Sequence, residues 1–476
     1  MEQNAQPNAG LLDQQAVMKF VQDNIEGVKG DPDNVSIWGE SAGASSILHH
    51  LTMPQNDSRS PLFKKAIVQS PAYQWLWERE GSLNTTFTDF AANVSACANC
   101  AKADIACLRS NDTTIEMLKT VNQNLFQEAA CRGIMPVGPS VDGGKTATVN
   151  GVVPYLAPYA LSQGKGKHPF CEKKHLRLTF SAAVHLDTIA ISHVDNEVPY
   201  SSNTTGFSFI PLPIRECPKN ETRFQDFLTK FFQGDQYACI RSNISKQYPS
   251  SSFKDQVERA AAVIRDSSFT CNTRFIADQY IPNVSKKVYA MDYAVFAKLP
   301  GRNYATHGTD LVPAFVNKQT DYRKLLASLF GGGFVAEAGA DVANRVLTKA
   351  VAPGMQAMFT SHAIWGDPNY NCQKKCGLFK KKCCYSWLPV NVSACPDKRS
   401  SSCIWNLLAP KAATLQENVW TNNTGPDLIT KSDTCDFWME VATNITKISN
   451  KDIDQLLEQQ SNLWMGLKQA ALIREL

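Results

Sequence analysis

The chain has 476 residues, 43% hydrophobic and 19% charged, with a formal net charge of +4. This is an ordinary globular composition with ample material for a core. The small charge is spread along the sequence and suggests neither nucleic acid nor a membrane surface as partner. No apolar run reaches the roughly 18 residues needed to cross a bilayer.

Fifteen cysteines and twelve N-x-[ST] triplets, among them Asn84, Asn93, Asn111, Asn203, Asn243, Asn283, Asn422 and Asn444, suit an extracellular glycoprotein. Asn34 also begins such a triplet and is expected to be shielded, because it leads straight into an apolar strand. Met1-Glu2-Gln3-Asn4 lacks the basic start and apolar stretch of a signal peptide. The expectation is a secreted protein whose beginning is missing.

In chain order, Leu12 to Val28 carries apolar residues at helical spacing and ends at Gly30-Asp31-Pro32. The strand Val35-Ser36-Ile37-Trp38 then runs into Gly39-Glu40-Ser41-Ala42-Gly43 and the small-residue helix start Ala44-Ser45-Ser46. Strand, G-x-S-x-G and helix make a nucleophile elbow, which lifts the Ser41 hydroxyl clear of the backbone. Gly39 and Gly43 are expected to let strand and helix approach closely. Residues 65–70 and the apolar runs 187–192 and 288–293 read as three further strands. Helical stretches lie between them at 224–232 and 253–265, and Asp452 to Glu475 reads as a closing amphipathic helix. Strands separated by long helical segments predict an α/β fold, a mostly parallel sheet flanked by helices.

Ser41 needs a base and an orienting acid, which follow such an elbow in the order acid, then His. Of the eight histidines only His307 and His362 come late enough. His307 lies in a loop just past the strand 288–293, at the sheet edge where α/β proteins place active residues. His362 lies in a helical run, as a packing residue would. Glu197 and Asp195 both follow the strand 187–192, and either can accept the imidazole Nδ1–H. Gly331-Gly332-Gly333 falls after the base and reads as a loop. Cys372, Cys376, Cys383 and Cys384 match no zinc spacing and read as disulfides or a spurious insert; serine-nucleophile chemistry needs neither metal nor cofactor.

Taken together, Asn8 to Gln14, Gly30 to Val35, Gly39 to Gly43, Asp266 to Cys271, His307 to Asp310 and Gly366 to Asn369 resemble the type-B carboxylesterase/lipase family, fungal members in particular. This is the cholinesterase-like branch of the α/β-hydrolases. The resemblance implies ester hydrolysis by a Ser-Glu-His triad on Ser41, Glu197 and His307. It implies disulfides Cys97–Cys107 (Cys100 being the alternative to Cys97) and Cys239–Cys271. It also implies a His-Gly-Gly word before the nucleophile that supplies most of the oxyanion hole. No such word occurs in this chain, leaving the Ala42 N–H as donor, with the N-terminal strands of the fold lacking. One domain over 1–476 is expected, incomplete at its N-terminus, with non-family inserts near 165–186 and 371–403, read as retained introns. A catalytically impaired or non-catalytic cholinesterase-like protein is the alternative function. The partner expected is a small-molecule or lipid ester.

Overall fold

The computed structural model describes residues 7–52, 62–72, 84–97, 104–128, 138–140, 188–194, 221–232, 234–273, 287–293, 295, 307–315, 347–370, 387, 405–410, 420–425 and 432–449. Strands β1 (Ser36–Glu40), β2 (Lys65–Gln69), β3 (Thr188–Val194), β4 (Lys287–Tyr293), β5 (Trp405–Pro410) and β6 (Trp420–Gly425) form one sheet in sequential order. β1 to β5 are parallel and β6 returns antiparallel to β5. The four strands expected from the sequence are present. The β5–β6 pair, built on a less uniformly apolar sequence, was not anticipated.

The strand register sorts side chains by the two-residue period of a pleated sheet. Ala66 and Val68 of β2 align with Ile189 and Ile191 of β3, and these with Val288 and Ala290 of β4. All six are buried in one large cluster. Helices α1 (Ala9–Asn24), α2 (Ala42–Thr52), α6 (Glu221–Phe231), α7 (Ala238–Gln247), α8 (Gln256–Arg265) and α11 (Ser432–Ser449) contribute Met18, Ile47, Phe224, Ile240, Val263 and Trp438 to it. The alternate residues Ile67, Ala190 and Tyr289 share the opposite face. There α9 (Leu311–Phe315) and α10 (Ala352–Trp365) lie, and Phe359 meets Trp38 edge-on. Trp387, inside the 371–403 stretch, is fully buried and donates its indole N–H to the Ala290 carbonyl of β4.

Between β2 and β3, α3 (Asn84–Asn93), α4 (Ile105–Leu108) and α5 (Ile115–Glu128) form a satellite core around Val94, Cys97, Cys107 and Val121. The Cys97–Cys107 disulfide closes it as expected. The second expected bridge is corrected. Cys271 bonds Cys435 on α11, with Cα atoms 5.2 Å apart, while Cys239 takes part in a different disulfide. A pairing that spans 164 residues is decided by which helix packs beside Cys271, and local sequence does not encode that.

Helix α1 buries only Leu11 and Met18, and leaves Val17 and Phe20 exposed. Two polar clamps hold it. Asn8 exchanges hydrogen bonds with Ser140, and Gln22 donates to the carbonyls of Pro32 and Leu62. Two sequon expectations also change. Asn34 is exposed, with its amide donating to the Ile364 carbonyl and accepting from Lys65. Asn444 is buried on α11, one helical turn past the buried Val441 and next to the buried Ile445. The insert expected near 165–186 and the helix expected at 452–475 lie outside the described residues.

Three histidines are buried as neutral rings. Burial lowers His49 to a pKa of about 3, assisted by the neighbouring His50, and burial alone lowers His50 to about 4. Burial also lowers His362 to about 4, with Lys65 adding to it and Asp367 opposing it. In the unfolded chain these rings protonate near 6.5, so between 6.5 and 4 the unfolded state binds more protons. The stability tied to the neutral rings is intact above pH 6.5 and is lost as pH falls toward 4. Thermal midpoints should therefore drop steeply from pH 6.5 to 4.5. A His49→Gln variant should show a shallower drop; an identical slope would overturn this assignment.

Candidate functional site

The site begins where β1 ends. Ser41 adopts φ 55°, a left-handed conformation that costs a non-glycine residue on the order of 1–3 kcal/mol and survives only when its surroundings enforce it. The enforcing contacts are visible. Ser41 N–H donates to the Gln69 carbonyl at 3.0 Å, and the Ser41 carbonyl accepts from Ser45 and Ala72. Gly39 is essential to this turn, because a Cβ there would lie 2.4 Å from the Gly43 carbonyl carbon. The expectation for Gly43 itself is corrected: a Cβ there would meet nothing within 4 Å. Close approach is one-sided, with the strand residue needing to be small and the helix residue supplying only backbone.

His307 opens the turn His307–Asp310 that precedes α9. Its Nε2 lies 2.8 Å from Ser41 Oγ, a contact between residues 266 apart in the chain. A neutral imidazole protonated on Nδ1 would accept the serine proton at this nitrogen. Glu40 Oε1 approaches the same nitrogen at 3.4 Å, and both side chains are largely buried. Phe269 meets the imidazole edge-on, with ring centroids 4.6 Å apart. His362 takes no part, since its ring binds Thr188 Oγ1 at 3.2 Å beneath the sheet. The backbone N–H of Ala42 heads α2 beside the serine, where a helix N-terminus favours developing negative charge. Glu197 and Asp195 lie outside the described residues, as do Gly331–Gly333 and the four cysteines at 372–384. Among the described residues, no group of three or more His, Cys, Asp or Glu could hold a metal ion.

The sequence reading missed the residue that joins these two loops. Gln69 is fully buried at the end of β2. Its carbonyl takes the Ser41 N–H, its Nε2 donates to Asp310 Oδ2 at 2.8 Å, and its Oε1 accepts the Trp38 indole N–H at 2.5 Å. Ser192, aligned with Gln69 on β3, reaches the same Asp310 oxygen at 3.5 Å. Burial raises Tyr293 well above the usual phenol range, and the nearby Asp310 carboxylate adds to it. One signal was available: a glutamine directly follows the apolar run Ala66-Ile67-Val68, and such a residue is buried only when its amide is satisfied. Replacing Gln69 by Leu should strip a donor from a buried carboxyl group and lower unfolding stability by about 2 kcal/mol. Chemical denaturation of the full chain checks this, and a change below about 0.5 kcal/mol would exclude the bracket.

The model of the carboxylesterase family matches residues 1–395. A secreted lipase of Arthroderma benhamiae is 30% identical over 372 residues, covering 78% of this chain and 56% of the lipase. A cholinesterase of Mus musculus is 36% identical over 144 residues, or 29% of this chain and 23% of the cholinesterase. The chain thus spans little more than half the length of the lipase. Among solved structures, Aspergillus niger EstA superposes with a TM-score of 0.59 at 17% identity, covering 94% of this chain and 71% of EstA. That likeness concerns the fold, which is the α/β-hydrolase arrangement of a parallel sheet flanked by helices. An elbow serine, a histidine folded onto it and a family match over most of the sequence converge, and the chain belongs to the carboxylesterase family.

Proposed function

We propose that this protein is a serine carboxylic-ester hydrolase in which Ser41 is the nucleophile, His307 the general base and acid, and Glu197 the orienting carboxylate. The observation that carries the reading is the 2.8 Å contact between His307 Nε2 and the strained Ser41. Ser41 Oγ attacks the ester carbonyl while its proton passes to His307. Collapse of the tetrahedral intermediate expels the alcohol, which takes that proton, and leaves an acyl group on Ser41. Water, deprotonated by the same imidazole, then releases the acid. The Ala42 N–H is the oxyanion donor, and the scheme uses no metal or cofactor.

The substrate class is a small-molecule or lipid ester. Similarity to a secreted lipase supports this class and an extracellular location. Cysteine usage and sequon content point the same way. Among the described sequons, Asn111 is exposed in a turn and is the best glycan acceptor, whereas Asn444 is buried. After expression in a glycosylating host, amide-cleaving deglycosylation should convert Asn111 to Asp and leave Asn444 unchanged. A modified Asn444 in folded protein would contradict its placement in the core.

Hydrolysis of a p-nitrophenyl ester by the full chain tests the reaction. Ser41→Ala and His307→Ala should each lower kcat by roughly 10³-fold or more, and Glu197→Gln should lower it by about 10²–10⁴. Covalent labelling by a fluorophosphonate should disappear in Ser41→Ala and slow sharply in His307→Ala, which removes the base that activates the serine. Folded protein that neither hydrolyses ester nor accepts the label would favour the non-catalytic reading, and retained activity in Ser41→Ala would sink the proposed nucleophile.

A further inference from the structure

Helix α8 does not end at Arg265. Residues Asp266–Thr270 continue it as one π turn, with all five side chains buried. Hydrogen bonds in a π turn skip one residue more than in an α-helix. The insertion swings the next side chains by roughly one residue's rotation, about 100°. Such turns are costly and are frequent at functional sites. Here the turn points Phe269 at the imidazole of His307.

The turn is fixed at both ends. At its start, Asp266 accepts Tyr248 O–H at 2.8 Å and Arg265 Nε at 2.6 Å, and Trp438 Nε1 donates to the Tyr248 oxygen at 2.7 Å. Burial raises Tyr248 well above the usual phenol range, with Asp266 adding to it, so the tyrosine stays a donor. At its end, Cys271 is tied to Cys435 on α11. The next residue, Asn272, donates to the Ser268 carbonyl at 2.6 Å and reaches the Pro71 carbonyl at 3.4 Å. Pro71 follows Ser70, just past the β2 end that receives the Ser41 N–H. The segment therefore touches the serine side and the histidine side of the site together.

An imidazole that must accept a proton from Ser41 has a useful range of only about 10–20° in ring orientation, and packing is what holds such a range. We propose that Phe269 is a positioning residue: its ring, presented by the π turn, walls the His307 imidazole into the plane that faces Ser41 Oγ. The edge-to-face arrangement suits this role because aromatic pairs favour it over a face-to-face sandwich. Asp266, Tyr248 and the Cys271–Cys435 bridge act through Phe269 by holding the turn in register.

The test uses the full chain with Phe269→Leu and Phe269→Ala, and Phe63→Leu as a control, a buried aromatic just before β2, at the end of that strand away from Gln69. The first readout is independent of ester hydrolysis: the rate at which diethyl pyrocarbonate modifies His307, followed by peptide mass spectrometry. Phe269→Ala should speed that modification several-fold and Phe269→Leu by less, while Phe63→Leu loses thermal stability without changing it. The second readout rests on the proposed esterase reaction. Phe269→Ala should lower kcat about tenfold with KM held within about twofold, as expected when a reacting group is misplaced but binding is kept. An unchanged His307 modification rate in folded Phe269 variants overturns the proposal. So does an equal acceleration in Phe63→Leu, or loss of the fold in both Phe269 variants, which would make Phe269 a packing residue only. A chain inert toward esters refutes the proposed function, and the modification rates still decide the role of Phe269.

Discussion

Everything at this site depends on the end of β2. Gln69 offers its carbonyl to the Ser41 N–H and its side chain to Asp310, three residues beyond His307. One buried residue thereby fixes both partners of a 2.8 Å contact. The Ser41 backbone conformation is unfavourable by itself, so it needs this kind of external anchor. The anchor is rigid because β2 is buried along its whole length and pairs on both sides. Loops that carry reactive groups gain precision when their fixed points are strands.

The two faces of the sheet divide the labour. On one, alternating Ala, Val and Ile residues of β2, β3 and β4 bury against helices and supply the hydrophobic stabilisation. On the other, the same two-residue alternation places Trp38 at the middle of β1, and Gln69 and Ser192 side by side toward the ends of β2 and β3. Three strands spaced under 5 Å apart thus present one polar cluster to the loops above them. The π turn after α8 approaches this cluster and brings Phe269 to the imidazole. Polar groups in such a cluster are stable only when satisfied, and that is why they form a bracket around Asp310.

Local features were legible and pairings were not. The elbow could be read because strand, glycine, serine and helix are adjacent, and the steric demand at Gly39 is met within five residues. The demand assigned to Gly43 was mistaken, because symmetry of the motif does not imply symmetry of contact. The four long apolar strands were legible from composition, whereas β5 and β6 owe their pairing to each other and to β4. The choice of Cys435 over Cys239 for Cys271 depends on the packing of α11. Asn444 carries a sequon that the helix turns inward.

By itself the sequence determined the chemistry on offer: an elbow serine, a late histidine on a strand-following loop, and an α/β order of elements. These are near-neighbour properties, governed by backbone sterics and by the period of apolar residues. Tertiary structure alone decided which groups meet. It placed His307 Nε2 on Ser41 Oγ across 266 residues, made Gln69 the joint between their loops, and aimed Phe269 at the imidazole. The physical reason is that hydrogen-bond satisfaction and close packing of buried groups are conditions on three-dimensional neighbours, and one strand carries no record of what packs against its end.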